Sequence, residues 1–378
     1  MKIGITCYPT YGGSGVVATE LGIELAKRDH EIHFISYEQP FRLDQFHKSV
    51  YFHEVEMLEY PLFKYPPYSL SLSVRMAQII KSEKLDILHV HYAIPHAASA
   101  YLAKKIVGDR NIKIITTLHG TDITLVGKHH SFFDITKFSI EKSDGVTCVS
   151  NYLKKTTEET FGIKRGMEVI YNFVDTEVYK RDENRKNLDM IEPDDKVIIH
   201  ISNFRPVKRI GSIIKVFCNI SGKIKSKLLL VGDGPEMYKI RDMVSKLGLD
   251  NKVIFMGRQN DIIPLLNISD LYMLPSKSES FGLSALEAMS CEVPIIGTSI
   301  GGLKEVVEDG ISGYICDPGD IKAMSKAAIA VLANKNNRIK MGLAARARAK
   351  KFDSKNIINK YIDYYEKVLE GKKTGVVL

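Results

Sequence analysis

Apolar and polar positions alternate with two different periods along almost the whole chain. Short runs rich in Val, Ile, Leu and Tyr are bounded by Gly, Asp or Pro, which is typical of buried parallel strands. They read KIGITCY, EIHFISY, VYFHEVEM, LDILHVHY, IKIITTLHG, DGVTCVS and MEVIYN in the first half, and KVIIHIS, KLLLVGD, KVIFMG, DLYMLP, VPIIGTS and SGYICD in the second. Stretches with helical periodicity, such as residues 16–28 and 71–84, lie between most of them. The pattern predicts an α/β fold in which parallel strands alternate with helices.

The alternation restarts after one polar stretch, residues 175–195. We therefore predict two Rossmann-like, doubly wound domains, 1–174 and 196–353, joined by 175–195 as a linker. The amphipathic tail, 354–378, has a polar face that mixes Lys with Asp and Glu. Because such a face favours packing over membrane binding, the tail is predicted to be a helix that packs back on the N-terminal domain.

The composition is that of a soluble globular protein. Of the 378 residues, 44% are hydrophobic and 26% charged. No apolar run approaches the roughly 18 residues of a membrane span, and the N-terminus lacks the layout of a signal peptide, so we expect a cytoplasmic protein without stable membrane association. The scattered cysteines argue against a disulfide framework or a structural zinc site. The net charge of +8 is not gathered into a basic stripe with interleaved aromatics, so no nucleic-acid partner is expected.

Polar and glycine-rich signals follow the predicted strands, where ligands bind in doubly wound sheets. The first, Gly13-Ser14-Gly15 with Ala18, fits the G-x-G-x-x-A fingerprint of dinucleotide-binding turns, and Glu38 lies where a ribose-binding acid is expected. An NAD-dependent oxidoreductase is therefore one hypothesis. The insertion at residues 8–11 is too long for the tight turn of that fingerprint, which favours another phosphorylated ligand.

The most informative segment is SKSESFGLSALEAMSCEVPIIGTSIGGLKEVV, residues 276–307. Gly282 permits close approach of the backbone to a ligand, and the helix that follows offers N–H groups and a positive dipole end to a phosphate. Glu287, inside that helix, can accept hydrogen bonds from ribose hydroxyls. Either Glu279 or Glu287 alone would also fit a simple complement to the helix dipole, so the pair carries the functional interpretation.

The pattern E-x-F-G-x-x-x-x-E resembles the signature of the retaining glycosyltransferases of family 4, and VGDGPE and PIIGTSIGGLKEVV also resemble that family's donor-binding domain. The resemblance extends through nearly the whole chain. It implies the GT-B fold, in which an N-terminal acceptor-binding domain and a C-terminal nucleotide-sugar-binding domain, both Rossmann-like, face each other across a cleft. Hinge closure over the donor is then expected.

By this resemblance, Glu287 holds the ribose, Glu279 contacts sugar hydroxyls near the reacting carbon, and the N–H groups of Gly282 and Leu283 bind the diphosphate. Lys208 matches the family's catalytic lysine, which neutralises the leaving diphosphate. The chain contains no D-x-D triplet, so no metal or other cofactor is expected.

Asn203 stands where the family has an arginine, and we expect Arg205 to supply the missing catalytic charge. A solvated basic turn is the alternative interpretation of this stretch. The remaining donor-binding residues that we expect are Asn203, Gly232, Gly257, Arg258 and Phe281.

In the N-terminal domain, the resemblance places the glycine loop of residues 13–15 over the donor phosphates and the reacting sugar. It places His119, in TTLHGTD, beside the donor sugar as a catalytic residue, and a purely structural histidine is the alternative. His89 and His91 are spaced like a metal-binding pair on one face of a strand. No third ligand is evident in the sequence, and core packing is the favoured interpretation of the pair.

The phrases CYPTYGGSGVVATELG and ISNFRPVKR resemble more narrowly those family members that transfer N-acetylglucosamine from UDP-N-acetylglucosamine to the hydroxyl of L-malate, the first step of bacillithiol biosynthesis. Malate is a small dianion, so its pocket is expected to contain cations, hydroxyls and N–H groups. The acceptor-binding candidates are Ser14, Tyr92, Thr117, Thr121, Asn151 and one lysine, Lys64, Lys128 or Lys137. No carboxylate is clearly placed as a nucleophile beneath the sugar, which favours front-face attack over a double displacement.

Other functions stay open at this point. A lipid or polysaccharide acceptor would use the Tyr-rich segment EYPLFKYPPYSL as a membrane-facing patch. A nicotinamide-dependent oxidoreductase rests on the glycine loop alone, and a non-catalytic binder of nucleotide sugars needs no catalytic cation. Homodimer formation is compatible with the sequence, but no residue pattern indicates it.

Overall fold

A computed structural model describes residues 1–43, 45–108, 111–182 and 188–371, which divide into two compact units. The first unit comprises Met1–Asn172 with the described chain from Lys355 onward, and the second unit comprises the described part of Phe173–Ser354. Residues 183–187 of the predicted linker and residues 372–378 of the predicted tail helix lie outside the described residues.

The first unit is a parallel sheet flanked by helices. Its described strands are β1 (Lys2–Thr6), β2 (Glu31–Ser36), β3 (Val50–Glu54), β4 (Ile87–His91), β5 (Lys113–Leu118), β6 (Gly145–Cys148) and β7 (Glu168–Val169). The helices between them are α1 (Gly13–Ala26), α2 (Tyr68–Glu83), α3 (Ala98–Val107), α4 (Thr121–Thr124), α5 (His130–Lys142) and α6 (Asn151–Phe161), and a π-helical turn (Ala93–Ala97) precedes α3.

The strand order in this sheet is β3-β2-β1-β4-β5-β6-β7, and the pairings are parallel. The chain runs outward from β1 to β3 and then returns to place β4 on the other side of β1. The order therefore reverses between β1 and β4. In open α/β sheets the loops at such a point diverge and leave a crevice at the carboxyl ends of the strands.

The second unit repeats this architecture. Its described strands are β8 (Lys196–Ile201), β9 (Ser226–Val231), β10 (Val253–Gly257), β11 (Leu271–Leu274), β12 (Ile295–Thr298) and β13 (Gly313–Cys316). The helices are α7 (Ile210–Ser221), α8 (Met237–Lys246), α9 (Ile263–Asn267), α10 (Leu283–Ser290), α11 (Leu303–Val306), α12 (Ile321–Ala333) and α13 (Lys335–Ala349), with 3₁₀ turns at Pro206–Lys208 and Lys350–Phe352.

Its parallel sheet has the order β10-β9-β8-β11-β12-β13, so the reversal lies between β8 and β11. Phe217 and Ile214 of α7 pack with Leu230 of β9 and Met324 of α12 in one buried cluster that covers a face of this sheet. Both sheets consist of the strands that the apolar runs predict, and the prediction of two Rossmann-like domains is confirmed.

Side-chain caps fix the start of several helices. Ser150 accepts a hydrogen bond from the backbone N–H of Leu153 at the start of α6, and Asp320 accepts one from Ala323 at the start of α12. Each cap satisfies an N–H group that has no acceptor within its helix. By contrast, Gly12 and Gly282 precede α1 and α10 without a side-chain cap, and both helices begin at predicted ligand-binding loops.

The last helix, α14 (Ser354–Leu369), belongs almost wholly to the first unit. The hydroxyl of Tyr365 lies 2.7 Å from Nδ1 of His89 on β4, and the hydroxyl of Tyr364 donates to the carbonyl of Val146 on β6 at 3.1 Å. The predicted return of the tail to the N-terminal domain is therefore confirmed, although the helix ends at Leu369. None of the described helices is long and apolar enough to cross a membrane.

Candidate active site

The predicted site residues of the second unit gather where its strand order reverses. The loop after β8 carries Lys208 and the loop after β11 carries Glu279, and Nζ of Lys208 lies 2.6 Å from Oε1 of Glu279. Ser276, which is fully buried, donates a hydrogen bond to the same carboxylate oxygen at 2.7 Å. The side chains of Lys208 and Glu279 are only 21% and 11% exposed. An ammonium and a carboxylate are thus held together, mostly shielded from water, at the expected ligand crevice.

Backbone contacts hold the loop after β11 against the loops that follow β8 and β12. The N–H of Lys277 donates to the carbonyl of Val207 at 2.8 Å, and the N–H of Gly302 donates to the carbonyl of Glu279 at 2.7 Å. A Cβ at Gly301 would lie 2.0 Å from that carbonyl oxygen, so only glycine fits there. The glycine pair in the predicted segment 276–307 therefore serves to bring the backbone against Glu279.

Helix α10 begins at the same crevice with an open N-terminus. Gly282, at φ +97°, turns the chain into the helix, and a Cβ there would lie 2.7 Å from Cδ1 of Leu303. The N–H groups of Leu283 and Ser284 have no acceptor within the helix, because they lie in its first turn. Backbone N–H groups and the positive end of the dipole are therefore available to an anion.

The acidic and aromatic residues of this helix are differently placed. Glu287 lies in the body of α10 and is buried. Phe281 is also buried, and its ring packs edge-to-face on Phe352 with 5.6 Å between the centroids. Phe281 thus anchors the start of α10, and its ring is turned into the core.

A buried polar layer that the sequence did not indicate supports the crevice. The hydroxyl of Tyr272 on β11 donates to the carbonyl of Ile201 at 3.1 Å and lies 2.7 Å from the hydroxyl of Ser284, which can donate to it, so Tyr272 ties the first turn of α10 to the end of β8. His200 on β8 contacts Ser202 through Nε2 at 2.7 Å. Burial lowers the pKa of His200 to about 4, so this layer is uncharged at neutral pH.

The other predicted donor-binding residues lie on neighbouring loops. A Cβ at Gly232, which has φ +121°, would lie 1.8 Å from the carbonyl oxygen of Ser202, so the loops after β8 and β9 touch through their backbones. The N–H of Gly232 donates to the carbonyl of Gly257 at 2.7 Å. Asn203 and Arg205 are exposed beside Lys208 in sequence, and exposed Arg258 lies 3.7 Å from Asp233. An exposed pair at that distance contributes little stability.

In the first unit, the glycine loop forms the first turn of α1. A Cβ at Gly15 would lie 2.6 Å from the carbonyl oxygen of Tyr8 and 2.7 Å from that of Thr10. The insertion at residues 8–11 therefore folds over the helix start and requires glycine beneath it. Gly13 begins the helix, and the N–H groups of Gly13 and Ser14 have no acceptor within it, while that of Gly15 donates to the carbonyl of Gly12 at 3.0 Å.

Ser14 is joined to Tyr92 across the point where this strand order reverses. The two hydroxyls lie 2.8 Å apart. Tyr92 has φ +89°, a left-handed conformation that costs energy for any residue other than glycine. Its N–H donates to the carbonyl of Thr117 at 2.9 Å, which holds the strained turn after β4 in place. Two of the predicted acceptor-binding residues are thus brought together.

His119 lies at the carboxyl end of β5, half-buried, with Nε2 2.8 Å from Nδ1 of His91. Burial lowers the pKa of His119 to about 3. The buried carboxylate of Asp122 accepts hydrogen bonds from the N–H groups of His119, Gly120 and Ala93, and so fixes the loop that presents His119. The motif HGTD contains Asp122, but only the backbone geometry reveals its role. Burial raises the pKa of Asp122 to about 6.

His89 and His91 do not form a metal pair with a third ligand among the described residues. His89 contacts Tyr365 and Thr117, and His91 contacts His119, so both belong to the polar core. Within the described chain, the one His, Cys, Asp or Glu group close enough to share an ion is Glu31, His33 and Glu83. There Nζ of Lys2 lies 2.8 Å from Glu31, and an ammonium already neutralises part of that charge.

The remaining acceptor-binding candidates are spread over the first unit. Thr117 is fully buried, and its hydroxyl contacts His89 and Thr147 at 2.7 Å each, so the structure does not place it with Ser14 and Tyr92 on an accessible surface. Asn151, at the start of α6, donates to the hydroxyl of Tyr171 at 2.8 Å. Thr121, Lys128 and Lys64 are exposed, and Lys137 is half-buried.

Comparison with known proteins agrees with this architecture. Residues 11–178 match the family model "Glycosyltransferase Family 4", and residues 180–348 match "Glycosyl transferases group 1". The chain is 48% identical to the N-acetyl-alpha-D-glucosaminyl L-malate synthase of Bacillus anthracis over the full length of both. It is 28% identical to an uncharacterised glycosyltransferase of Methanocaldococcus jannaschii, with 96% of each chain covered.

Solved structures share the fold at lower identity. Sucrose-phosphate synthase from Thermosynechococcus elongatus superimposes with a TM-score of 0.83 at 18% identity, covering 98% of this chain and all of that one. HepE of Anabaena, solved in complex with UDP-glucose, gives 0.83 at 21% identity, with 97% of this chain and all of that one covered. The full-length match, the family models and the paired parallel sheets lead to one conclusion: the chain belongs to the family 4 glycosyltransferases and has the GT-B fold.

Proposed function

We propose that this enzyme transfers N-acetylglucosamine from UDP-N-acetylglucosamine to the hydroxyl of L-malate with retention of the α configuration. The observation that carries the proposal is the 48% identity to a synthase with this product over the full length of both chains. In the transfer, the bond between the anomeric carbon and the diphosphate oxygen breaks, and a bond to the malate hydroxyl oxygen forms. The hydroxyl proton passes to the departing diphosphate, so the products are UDP and N-acetylglucosaminyl malate. The sequence resemblance assigns this step to bacillithiol biosynthesis.

The second unit supplies the donor site in this proposal. The open N-terminus of α10, with the N–H groups of Gly282 and Leu283, receives the diphosphate. Lys208 neutralises the charge that develops as the diphosphate leaves, and Arg205 adds a second cation. Glu287 binds the ribose and Glu279 the sugar hydroxyls. The remaining donor contacts come from the loops that carry Gly232, Gly257 and Arg258.

This assignment requires Lys208 to change partner. In the structure its ammonium lies 2.6 Å from Glu279, and a bound diphosphate would compete for it. Release of Lys208 would free the Glu279 carboxylate for the sugar, while the Ser276 hydroxyl keeps that carboxylate in position. Fixed cations and amide dipoles take the part that a divalent metal has in other glycosyltransferases, so we propose a metal-independent reaction.

The first unit supplies the acceptor site and part of the sugar site. The paired hydroxyls of Ser14 and Tyr92 and the first turn of α1 offer donors to a carboxylate. The sequence resemblance assigns His119 to the donor sugar. Thr121, Asn151 and Lys128 are accessible candidates for the second malate carboxylate. Front-face attack is proposed, since the sequence shows no carboxylate clearly placed as a nucleophile beneath the sugar.

A lipid or polysaccharide acceptor is the second candidate, and one observation favours it. Several large apolar side chains between β3 and α2 are exposed, among them Leu58, Leu62 and Tyr65 at 70%, 81% and 75%. Such a patch can mark a surface for a partner or for a membrane. The acidic residues Glu56 and Glu59 in the same segment oppose binding to an anionic bilayer.

The deciding experiment is UDP release from UDP-N-acetylglucosamine by the purified protein. We expect release that depends on L-malate, without added metal and undiminished by EDTA. Malate-independent release, or release with a lipid acceptor alone, would contradict the proposal. Lys208→Ala is expected to abolish most of the release, while Lys277→Ala in the facing loop is the matched control. Light scattering on the same sample gives the oligomeric state.

A further inference from the structure

The histidines at the carboxyl ends of β4 and β5 form a connected group around His119. The ring of His91 stacks on that of His119 with 5.0 Å between centroids, and His96 reaches back to the carbonyl of His91. His91 and His96 are fully buried. The function proposed above uses only His119, so the role of its buried neighbour is unassigned.

At neutral pH each of these rings carries a single proton. Burial lowers the pKa of His119 to about 3 and that of His96 to about 4, and it lowers the pKa of His91 well below its usual range. In a neutral imidazole one ring nitrogen donates a hydrogen bond and the other accepts one. The partners therefore decide which nitrogen holds the proton.

In His96 the hydrogen-bond partner determines which ring nitrogen carries the proton. Its Nδ1 lies 2.5 Å from the carbonyl oxygen of His91, which can only accept, so Nδ1 carries the proton. Its Nε2 is then unprotonated and carries a lone pair. That atom is buried and has no hydrogen-bond partner among the described residues. The structure thus tolerates a buried imidazole lone pair without a donor.

The pair His91 and His119 has two possible arrangements, because Nδ1 of His91 lies 2.8 Å from Nε2 of His119. If His119 donated from Nε2, His91 would carry its proton on Nε2. That nitrogen is buried and lacks a partner in the described part of the chain, so an N–H would be orphaned there. Orphaned buried N–H groups are rarer and more costly than unpaired acceptors. The arrangement with His91 as donor leaves only a lone pair unpaired, as in His96.

We propose that His91 is a positioning residue that donates from Nδ1 to Nε2 of His119 and thereby fixes the proton of His119 on Nδ1. His119 then presents an N–H donor, and never a lone pair, to a substrate oxygen. The identity of that oxygen, a hydroxyl of the donor sugar, rests on the proposed function. The tautomer itself does not depend on it.

The direct test is ¹⁵N NMR of the full-length protein labelled on histidine, at neutral pH and without substrate. The His119 resonances are identified by their loss in His119→Asn. We expect the ring of His119 to show a protonated Nδ1 and an unprotonated Nε2. A protonated Nε2, or a ring protonated on both nitrogens, would overturn the proposal. This result is independent of any turnover, so it stands or falls separately from the proposed substrates.

Two variants test the positioning role. In His91→Asn the amide Nδ2 can replace the Nδ1 donor, and we expect the His119 spectrum to stay unchanged and kcat to stay within about threefold. In His91→Leu the donor is lost, and we expect a mixture of tautomers and a fall in kcat of about tenfold or more, with a smaller change in the KM for the donor. Equal effects of the two variants on the spectrum and on kcat would contradict the inference.

His33→Leu is the matched control, because His33 is a buried, hydrogen-bonded histidine on β2 of the same sheet. We expect it to lower stability but to leave the His119 tautomer and kcat unchanged. If His33→Leu changed the tautomer as His91→Leu does, the effect would be general destabilisation and the proposal would fail. If His91→Leu does not fold, the spectra of the unaltered protein and of His91→Asn still decide.

Discussion

The ammonium of Lys208 lies 2.6 Å from the carboxylate of Glu279, and this ion pair joins the loop after β8 to the loop after β11. The two residues are 71 positions apart in sequence and meet because the strand order reverses between their strands. The pair thus brings a cation to the open start of α10.

Removal of Lys208 tests its role at the leaving diphosphate. We expect Lys208→Ala to lower kcat by about 100-fold, since fixed donors and cations at a developing charge contribute factors of this size. The measurement is the steady-state rate of UDP release. Lys277→Ala removes an exposed cation from the loop after β11 and is expected to stay within about threefold. Similar losses in both variants would place the effect in the loops and not in the Lys208 charge.

The hydroxyl of Ser276 is expected to position Glu279. Ser276→Ala removes the 2.7 Å hydrogen bond to Oε1 and leaves the ion pair as the only described side-chain contact of that oxygen. We predict a loss of about tenfold in kcat/KM for the donor, since misplacement of a binding group is costly even when it is retained. Ser278→Ala, in the same loop, is the control. Unchanged kinetics in Ser276→Ala would show that the ion pair alone holds the carboxylate.

Gly282 is expected to be required for donor binding. Gly282→Ala adds a Cβ 2.7 Å from Leu303 Cδ1 at φ +97°, so the start of α10 must shift, and we predict at least tenfold weaker UDP binding by calorimetry. Gly310 also has a left-handed φ, +74°, but a Cβ there meets nothing within 4 Å. Gly310→Ala is therefore expected to cost about 1 kcal/mol of stability from the conformation alone and to bind UDP normally. Normal binding by Gly282→Ala would remove α10 from the donor site.

Acid is expected to destabilise the first unit through its buried histidines. The pKa of His89 falls to about 3 in the fold because of burial, below its unfolded value of 6.5, so the unfolded chain binds more protons between these limits. Stability is therefore present above pH 6.5 and lost as the pH falls. For His89 the loss from pH 7 to pH 5 amounts to about 2 kcal/mol. We expect His89→Gln to reduce the loss by this amount in guanidinium unfolding at the two pH values, and an unchanged loss would contradict this.

Asp122 is expected to act in the opposite direction. Burial raises its pKa to about 6, above the unfolded value of 3.8, so the folded chain binds more protons in this window and gains stability as the pH falls. From pH 7 to pH 5 the gain is about 1 kcal/mol. Asp122→Asn removes this gain, so in guanidinium unfolding the free energy of unfolding should fall more steeply from pH 7 to pH 5 than in the unaltered protein. Asp144→Asn is the control, because Asp144 also accepts a backbone N–H, from Ile114, at the opposite end of β5.

The sequence predicts the strands and many residues of the candidate site, but it does not predict which side chains contact each other. Glu279 and Gly282 could be singled out because their spacing with Glu287 forms a signature, and Lys208 because its segment resembles that of the family. The contact of Lys208 with Glu279, however, depends on the strand order. Ser276 stood within the signature segment, yet nothing in the pattern distinguishes its hydroxyl from those of its neighbours.

In the first unit, the limit of prediction is the direction of side chains. Thr117 was a reasonable acceptor candidate by its place near a strand end, but its side chain points into the sheet core toward His89 and Thr147. Asp122 lay within a motif of interest, and its function as an acceptor for N–H groups could not be read without backbone directions. The sequence predicts both Tyr92 and Ser14 as acceptor-binding residues, but only the strand order shows that their side chains meet.

The return of α14 to the first unit has a consequence for biosynthesis of the protein. On the ribosome, His89 emerges long before Tyr365, and the whole second unit is synthesised between them. The first unit therefore remains incomplete, with its polar core not yet covered by α14, until translation is almost complete. A premature stop that removes this helix would leave every predicted donor-binding residue of the second unit in the chain and still deprive the nascent enzyme of a finished first unit.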